Sequence, residues 1–255
     1  PDFALCSECR NEVHNSSNYR YHYPFITCTH CGPRFSIMQH LPYDRQNTTM
    51  HSFSMCEVCA EEYNNVHSRR YYSQTNSCTR CGIEMQLYNH EKKLVCKGNE
   101  AVLTEIVNYL QAGNIIAIKG IGGYLLCCDA TNANAVLLLR AKKHRPKKPF
   151  AVMYAHRQQL AKQVVLFSEA EEQLQNAVSP IVVLPAQPEI RSHIAFDAIA
   201  PGLHSLGVML PYAPLFELIL QAFQKPIVAT SGNISGSPIL YNDEDALNSF
   251  SAIAD

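Results

Sequence analysis

Eight of the chain's eleven cysteines stand in four Cys-x-x-Cys pairs: Cys6/Cys9, Cys28/Cys31, Cys56/Cys59 and Cys78/Cys81. Eighteen residues separate the two pairs of each set, and the second set repeats the first at a period of 50. Glu12 recurs as Glu62, Arg20 as Arg70, Tyr21 as Tyr71 and Gly32 as Gly82, so residues 6–32 return as 56–82. A segment this short cannot bury a core, and a tetrahedral metal ion held by thiolates contributes the missing folding free energy. Pairs at this spacing grip one ion from a tight turn, and four sulfurs leave no open coordination position. The expected sites are therefore two structural Zn²⁺ ions rather than catalytic ones. A redox role of the thioredoxin kind would need a βαβ context after a single motif. Gly32 and Gly82 follow their second pairs, where a positive φ is expected to aim turn N–H groups at sulfur. The histidines of this half read as surface or packing residues, and Cys96, Cys127 and Cys128 as small buried hydrophobes.

The rest of the composition suits an ordinary globular chain. At 255 residues, 47% hydrophobic and 17% charged, it can bury a sizeable core and is expected to hold two units. No run of eighteen apolar residues occurs, and the opening PDFALCSEC lacks the pattern of a signal peptide, so no membrane association is expected and the cytoplasm is the default location. The chain begins with Pro1 rather than Met and stops at Asp255 just after a helical pattern begins, which suggests a piece of something longer. Residues 1–98 hold ten Lys/Arg against nine Asp/Glu. Two four-thiolate zinc clusters would carry that half to a net charge of about −3. Sequence-independent nucleic-acid binding is disfavoured on that ground.

From about residue 99 the pattern changes to helices alternating with apolar runs, an α/β or α+β arrangement. Val102, Ile106 and Leu110 fall on one helical face and Gly113 supplies a stop. NIIAIK (114–119) reads as a buried strand followed by the loop GIGGY, NANAVLLLRAK as a helix, and FAVMY (150–154) as the next strand. Ser168 and Glu171 form a capping box for a further helix. IVVLP, LGVMLP and PIVAT supply three more strands, and Pro214 opens the helix in APLFELILQAF.

Three stretches are candidates for chemistry. In LRAKKHRPKKPF, the cations Arg140, Lys142, Lys143, Arg145, Lys147 and Lys148 crowd within nine positions, which suits phosphate and equally suits a solvated helix end. Lys119-Gly120-Ile121-Gly122-Gly123-Tyr124 is a strand-to-loop junction where glycines let backbone approach a ligand, or form a tight turn; it is neither a P-loop nor G-x-G-x-x-G. ATSGN ends a buried strand in Thr230-Ser231-Gly232-Asn233, small polar groups that hold a phosphate or base, or that merely turn the chain. Asp129 reads as a residue that orients a cation or Mg²⁺, or as a helix cap.

Taken together, the doubled finger with THCGPRFSI, IKGIGGYLLCCDA, LRAKKHRPKKPFAVM, LGVMLPYAPL and ATSGNISGSPI resemble the hydrogenase maturation carbamoyltransferases of the HypF family, over essentially the whole chain. The family's K-x-R signature falls on Lys143-His144-Arg145, extended by Lys148, and its S-x-N signature on Ser231-Gly232-Asn233. Leu125 departs from the His expected after the Gly-Gly-aromatic step, which puts a polar role there in doubt. The resemblance implies a double zinc-finger unit over 1–90 and, over 99–255, a YrdC-like nucleotide-binding unit with a twisted mixed sheet and flanking helices. It further implies that ATP with Mg²⁺ converts carbamate, derived from carbamoyl phosphate, to carbamoyl-adenylate. The group would then pass to the C-terminal Cys of the partner HypE and become a cyanide ligand of NiFe hydrogenase. The implied catalytic residues are Lys143 and Arg145; Lys119, Tyr124, Lys148, Ser231 and Asn233 would bind nucleotide beside them. A threonylcarbamoyl-adenylate synthase for tRNA modification would share the basic and S-x-N motifs, and a non-enzymatic zinc-ribbon interaction module is the remaining alternative.

Overall fold

The structure, a computed structural model, describes residues 2–233 and 236–255. Each finger opens with a short helix, α1 (Ser7–His14) or α2 (Glu57–Asn64), and the residues capping them are Cys6 and Cys56. Cys6 and Cys9, like Cys56 and Cys59, thus sit in a first helical turn, where the helix dipole favours thiolate. Behind the fingers, β1 (Gln86–Tyr88) and β2 (Leu94–Lys97) pair as an antiparallel hairpin that sequence periodicity did not announce.

The chain then enters α3 (Asn99–Gln111), whose Val102, Ile106 and Leu110 are buried as expected, and Gly113 turns out of it at φ 83°. A mixed six-stranded sheet follows in the order β3-β4-β8-β5-β7-β6. Its strands are β3 (Ile116–Gly120), β4 (Gly123–Asp129), β5 (Ala151–Met153), β6 (Val182–Pro185), β7 (Ser205–Met209) and β8 (Ile227–Ser231). Only β5 and β7 run parallel; the other neighbours are antiparallel. Between them lie α4 (Ala133–Lys142), α5 (Arg157–Leu160), α6 (Ser168–Leu174), α7 (Phe196–Ile199) and α8 (Pro214–Phe223), with α9 (Asp243–Phe250) last.

Alternation along the strands divides two cores. Leu126, Cys128, Val152 and Val228 pack with α4, α6, α7 and α9 on one face. Cys127, Met153, Ile227 and Ala229 pack with α3 and α8 on the other. The result is a three-layer α/β/α body. The first finger rests on α8, where Leu218 joins the cluster of Leu5, Val13, Tyr23 and Ile26, and Glu217 accepts from Arg10 and His14 of α1.

Three local expectations fail. β4, the central partner of both β3 and β8, was hidden in the stretch read as a loop and its sequel. The capping box at Ser168 does not form: Phe167 caps α6 without a side-chain bond, and Ser168 Oγ turns to Glu169. Gly82 has no positive φ; its place is steric, since a Cβ there would lie 1.9 Å from Tyr23 Oη. Gly32 does take the left-handed conformation, at φ 88°.

Candidate functional site

The four sulfurs of Cys6, Cys9, Cys28 and Cys31 converge, as do those of Cys56, Cys59, Cys78 and Cys81, all within 4.8 Å of one another in each set. No ligand is exchanged between repeats. Neighbouring sulfurs lie 3.7 and 3.8 Å apart in the first cluster and 3.6 to 3.8 Å apart in the second. A zinc ion at about 2.3 Å from each sulfur of a tetrahedron requires an edge of about 3.8 Å, so the donor sets fit. Backbone N–H groups of His30 and Arg80 donate to Cys28 and Cys78 at 3.3 and 3.4 Å, further stabilising thiolate.

The second site lies at the end of the sheet where β3 turns into β4 and β8 finishes. Asn132 caps α4, and Lys143 and His144 leave its carboxyl end, His144 with φ 49°. Buried Arg140 then organises the loop, donating to the carbonyls of Lys148, Ala198 and Ile199 and stacking 4.6 Å from the Phe150 ring. Thus Arg140 is scaffold rather than ligand site, and Lys142 is committed to the Ile253 carbonyl at 3.0 Å. Lys143 reaches across to the other motif: its ammonium donates to Ser231 O at 2.7 Å and to Asn233 O and Oδ1 at 3.0 Å. Arg145 donates to Thr230 Oγ1 at 3.0 Å, while Lys148 is exposed. The two signatures, 88 residues apart, therefore meet side chain to backbone. Burial first, then Arg145 and Lys148, push the Lys143 ammonium down to about 8.

Lys119 and Tyr124 face each other across the β3–β4 pair and share one acceptor, Asp243 Oδ1, at 2.5 and 2.7 Å. Burial, then this carboxylate, raise the Tyr124 phenol above its ordinary range. Tyr124 and Leu126 occupy one face of β4, and Thr230 pairs with Leu126, so Lys119, Tyr124, Lys143 and Arg145 border the same layer of the fold. The glycines between them answer to close packing and to turn geometry. A Cβ on Gly120 would lie 2.2 Å from Tyr212 Oη, one on Gly123 2.8 Å from Leu240 O, and Gly122 takes the turn at φ 82°. Asp129 does not belong here: it sits at the opposite end of β4, accepting from Thr131 and Lys225.

A cleft of about 870 Å³ opens at the far end of the sheet, against α1 and the loops after β5 and β7. Glu217 already pairs its Arg10 and His14, and none of the K-x-R or S-x-N residues lines it. Side-chain chemistry, not cavity size, therefore marks the end of β8 as the candidate site.

Residues 5–38 and 55–88 match the family model of the HypF finger, and residues 108–255 match that described as Telomere recombination, which joins the Sua5, YciO and YrdC proteins. Carbamoyltransferase HypF of Synechocystis sp. is 52% identical over all of this chain. The chain belongs to the HypF family. It spans about a third of the length of the curated HypF relatives it matches, 33% in the Synechocystis case. A crystal structure of full-length HypF in the phosphate- and nucleotide-bound form is 41% identical with a TM-score of 0.92, covering 100% of this chain and 32% of that one. The threonylcarbamoyl-AMP synthase of Aliivibrio fischeri is 32% identical over 52% of this chain and 73% of its own length.

Within this HypF-family fold, Leu125 pairs with Ser231 and packs among the apolar residues of the α3/α8 face, so this position serves the core. Sequence reasoning missed Thr230 as the Arg145 partner, although it stood beside the motif. It also missed Asp243, for which the only signal was an Asn-capped acidic first turn. The ISGSPI end of the S-x-N stretch includes Ile234 and Ser235, which lie outside the described residues. Among the described residues no helix is long and apolar enough to cross a membrane.

Proposed function

We propose that this chain is the zinc-binding and adenylating portion of a cytoplasmic carbamoyltransferase, with the finger unit over 1–90 and the YrdC-like unit over 99–255. Its substrates in this reading are ATP with Mg²⁺ and carbamate released from carbamoyl phosphate. A carbamate oxygen attacks the α-phosphorus, pyrophosphate leaves, and the carbamoyl-adenylate passes on toward the C-terminal cysteine of HypE. The reaction asks for positioning and for neutralisation of phosphate charge rather than for a protein nucleophile. The observation that carries the reading is the contact of Lys143 with Ser231 and Asn233, which gathers the cationic loop and the polar strand end at one place. Lys143 and Arg145 would meet the phosphates, helped by Lys148 and Lys119. Ser231, Asn233 and Tyr124 would hold the nucleotide. The nucleotide-bound HypF crystal structure supports a nucleotide for this fold.

The similarity to threonylcarbamoyl-AMP synthase keeps a second substrate class in view. Exchange of labelled pyrophosphate into ATP separates the two. Dependence on carbamoyl phosphate, once a carbamate-releasing enzyme is supplied, is the expected result. Dependence on threonine plus bicarbonate instead would overturn the proposal, and absence of any ATP binding would leave a zinc-ribbon interaction module.

A further inference from the structure

We infer that the two four-cysteine clusters are coupled metal sites, in which arginines of each repeat neutralise the thiolates of the other, so that filling one cluster raises the metal affinity of its twin. This rests on the reading of both clusters as zinc sites.

Arg20, fully buried, lies between the cysteine pairs of the first repeat but bonds to the second. Its Nε donates to Ser77 O at 2.9 Å, directly before Cys78, and its Nη2 approaches Cys59 Sγ at 3.5 Å. Arg70 does the converse. Its Nε donates to Thr27 O at 2.9 Å, directly before Cys28, and its Nη2 approaches Cys9 Sγ at 3.8 Å. Each guanidinium thus reaches a sulfur of one ligand pair of the opposite cluster and the carbonyl just before the other pair, and Glu62 and Glu12 hold the two in place. Glu62 also lies 3.5 Å from Arg70, so one continuous chain of charges joins cluster to cluster.

A loaded Zn(Cys)₄ centre carries a net charge of about −2, and charge-assisted donors to its sulfurs strengthen as that charge appears. Loading one cluster therefore fixes the arginine it recruits. That arginine lies on the segment linking the two cysteine pairs of the other repeat, whose ordering is part of forming the second site. By linkage the effect is reciprocal. The device is also asymmetric. Arg69 adds a second guanidinium to the first cluster, 3.6 Å from Cys9 and 3.8 Å from Cys6, whereas the matching position in the first repeat is Tyr19.

Cobalt(II) titration of the full chain, read by its thiolate absorption, tests this. Two ions should bind cooperatively. Removing the first cluster by Cys6→Ser with Cys9→Ser should weaken cobalt binding at the second by about tenfold or more, the range expected for loss of outer-sphere partners, and Cys56→Ser with Cys59→Ser should weaken the first by the same factor. Arg69→Tyr alters a partly exposed side chain, paired besides the sulfurs only with Glu12 among the described residues, and should weaken the first cluster about tenfold with the circular dichroism of the loaded chain unchanged. Non-cooperative binding of two cobalt ions by the unaltered chain, with the surviving cluster's affinity unchanged in both double-serine chains, would overturn the coupling alone. Failure of the unaltered chain to bind cobalt would overturn the metal reading beneath it.

Discussion

Lys143 is a cation held by three oxygens, Ser231 O, Asn233 O and Asn233 Oδ1, whereas Lys148 is an exposed cation bound into the loop through its carbonyl, which accepts from Arg140 and Arg145. The two should answer differently to truncation. Lys148→Ala removes only charge, so ATP affinity is expected to fall with the melting temperature unchanged. Lys143→Ala also orphans carbonyl acceptors at the end of β8, so it should lower affinity by roughly tenfold to a hundredfold and destabilise the fold as well. Isothermal titration beside a thermal melt reads both; equal and unaltered affinities in the two variants would return the basic loop to a solvated helix end. Titration adds a pH signature. Burial and the cations of Arg145 and Lys148 lower Lys143 to about 8, against an ordinary 10.5. Above pH 8 the folded chain releases a proton that the unfolded chain keeps until about 10.5, so this group makes stability rise with pH across that window. Phosphate binding needs the charged form, so ATP affinity should fall as pH passes upward through about 8, and binding there should take up a proton. The roles proposed for Lys143, Arg145 and Ser231 come from the resemblance, because charge spacing alone fits a helix end equally well. The structural role of Arg140 was not legible at all, since its acceptors Ala198 and Ile199 lie 58 and 59 residues away in sequence.

At the scale of elements, periodicity recovered the strands and helices whose apolar faces are long, and it failed where a turn was mistaken for a loop. Ile121 and Gly122 are a two-residue hairpin turn, and the strand beyond them carries Leu126, Cys127 and Cys128 to both faces of the sheet. A run buried on both sides loses its alternation, which is why β4 was invisible as a strand. The glycines around the turn yield a test of what they are for. Gly120→Ala would push a methyl to 2.2 Å from Tyr212 Oη and 3.1 Å from Phe216, an overpacking expected to cost about 1–3 kcal/mol. Gly122→Ala meets only Ser36 Oγ, 3.5 Å away in ordinary contact, but must hold φ 82°, which costs about 1 kcal/mol. Urea midpoints should therefore fall for both, while ATP affinity stays near that of the parent. A variant that kept its midpoint but lost ATP would show that these glycines serve a ligand after all. Buried Cys127 belongs to the same strand, and burial pushes its thiol up to about 12, so alkylation at neutral pH should spare it.

At the scale of the whole molecule, the doubled cysteine pattern was readable at once because its period is written in the chain. The clasp between the repeats was not: it lies in which arginine crosses to which cluster, and a repeat aligned on itself shows only that Arg20 matches Arg70. The first finger is fastened to α8 through Glu217 and Leu218, so the metal-binding and sheet-bearing parts meet through a defined surface. The proposed reaction carries a requirement of its own at this scale. Carbamate decomposes quickly in water, so an adenylating site cannot depend on its diffusing in from a distant source. This chain alone should therefore bind ATP but exchange pyrophosphate poorly when given carbamoyl phosphate. Fusing an acylphosphatase domain to it should restore carbamoyl-phosphate-dependent exchange, and the same domain added as a separate protein should help less, because a tether raises the local concentration of released carbamate. Equal exchange from tethered and separate domains would show that carbamate arrives freely. Exchange driven only by threonine and bicarbonate, even in the fused chain, would move the assignment to the threonylcarbamoyl-adenylate reaction.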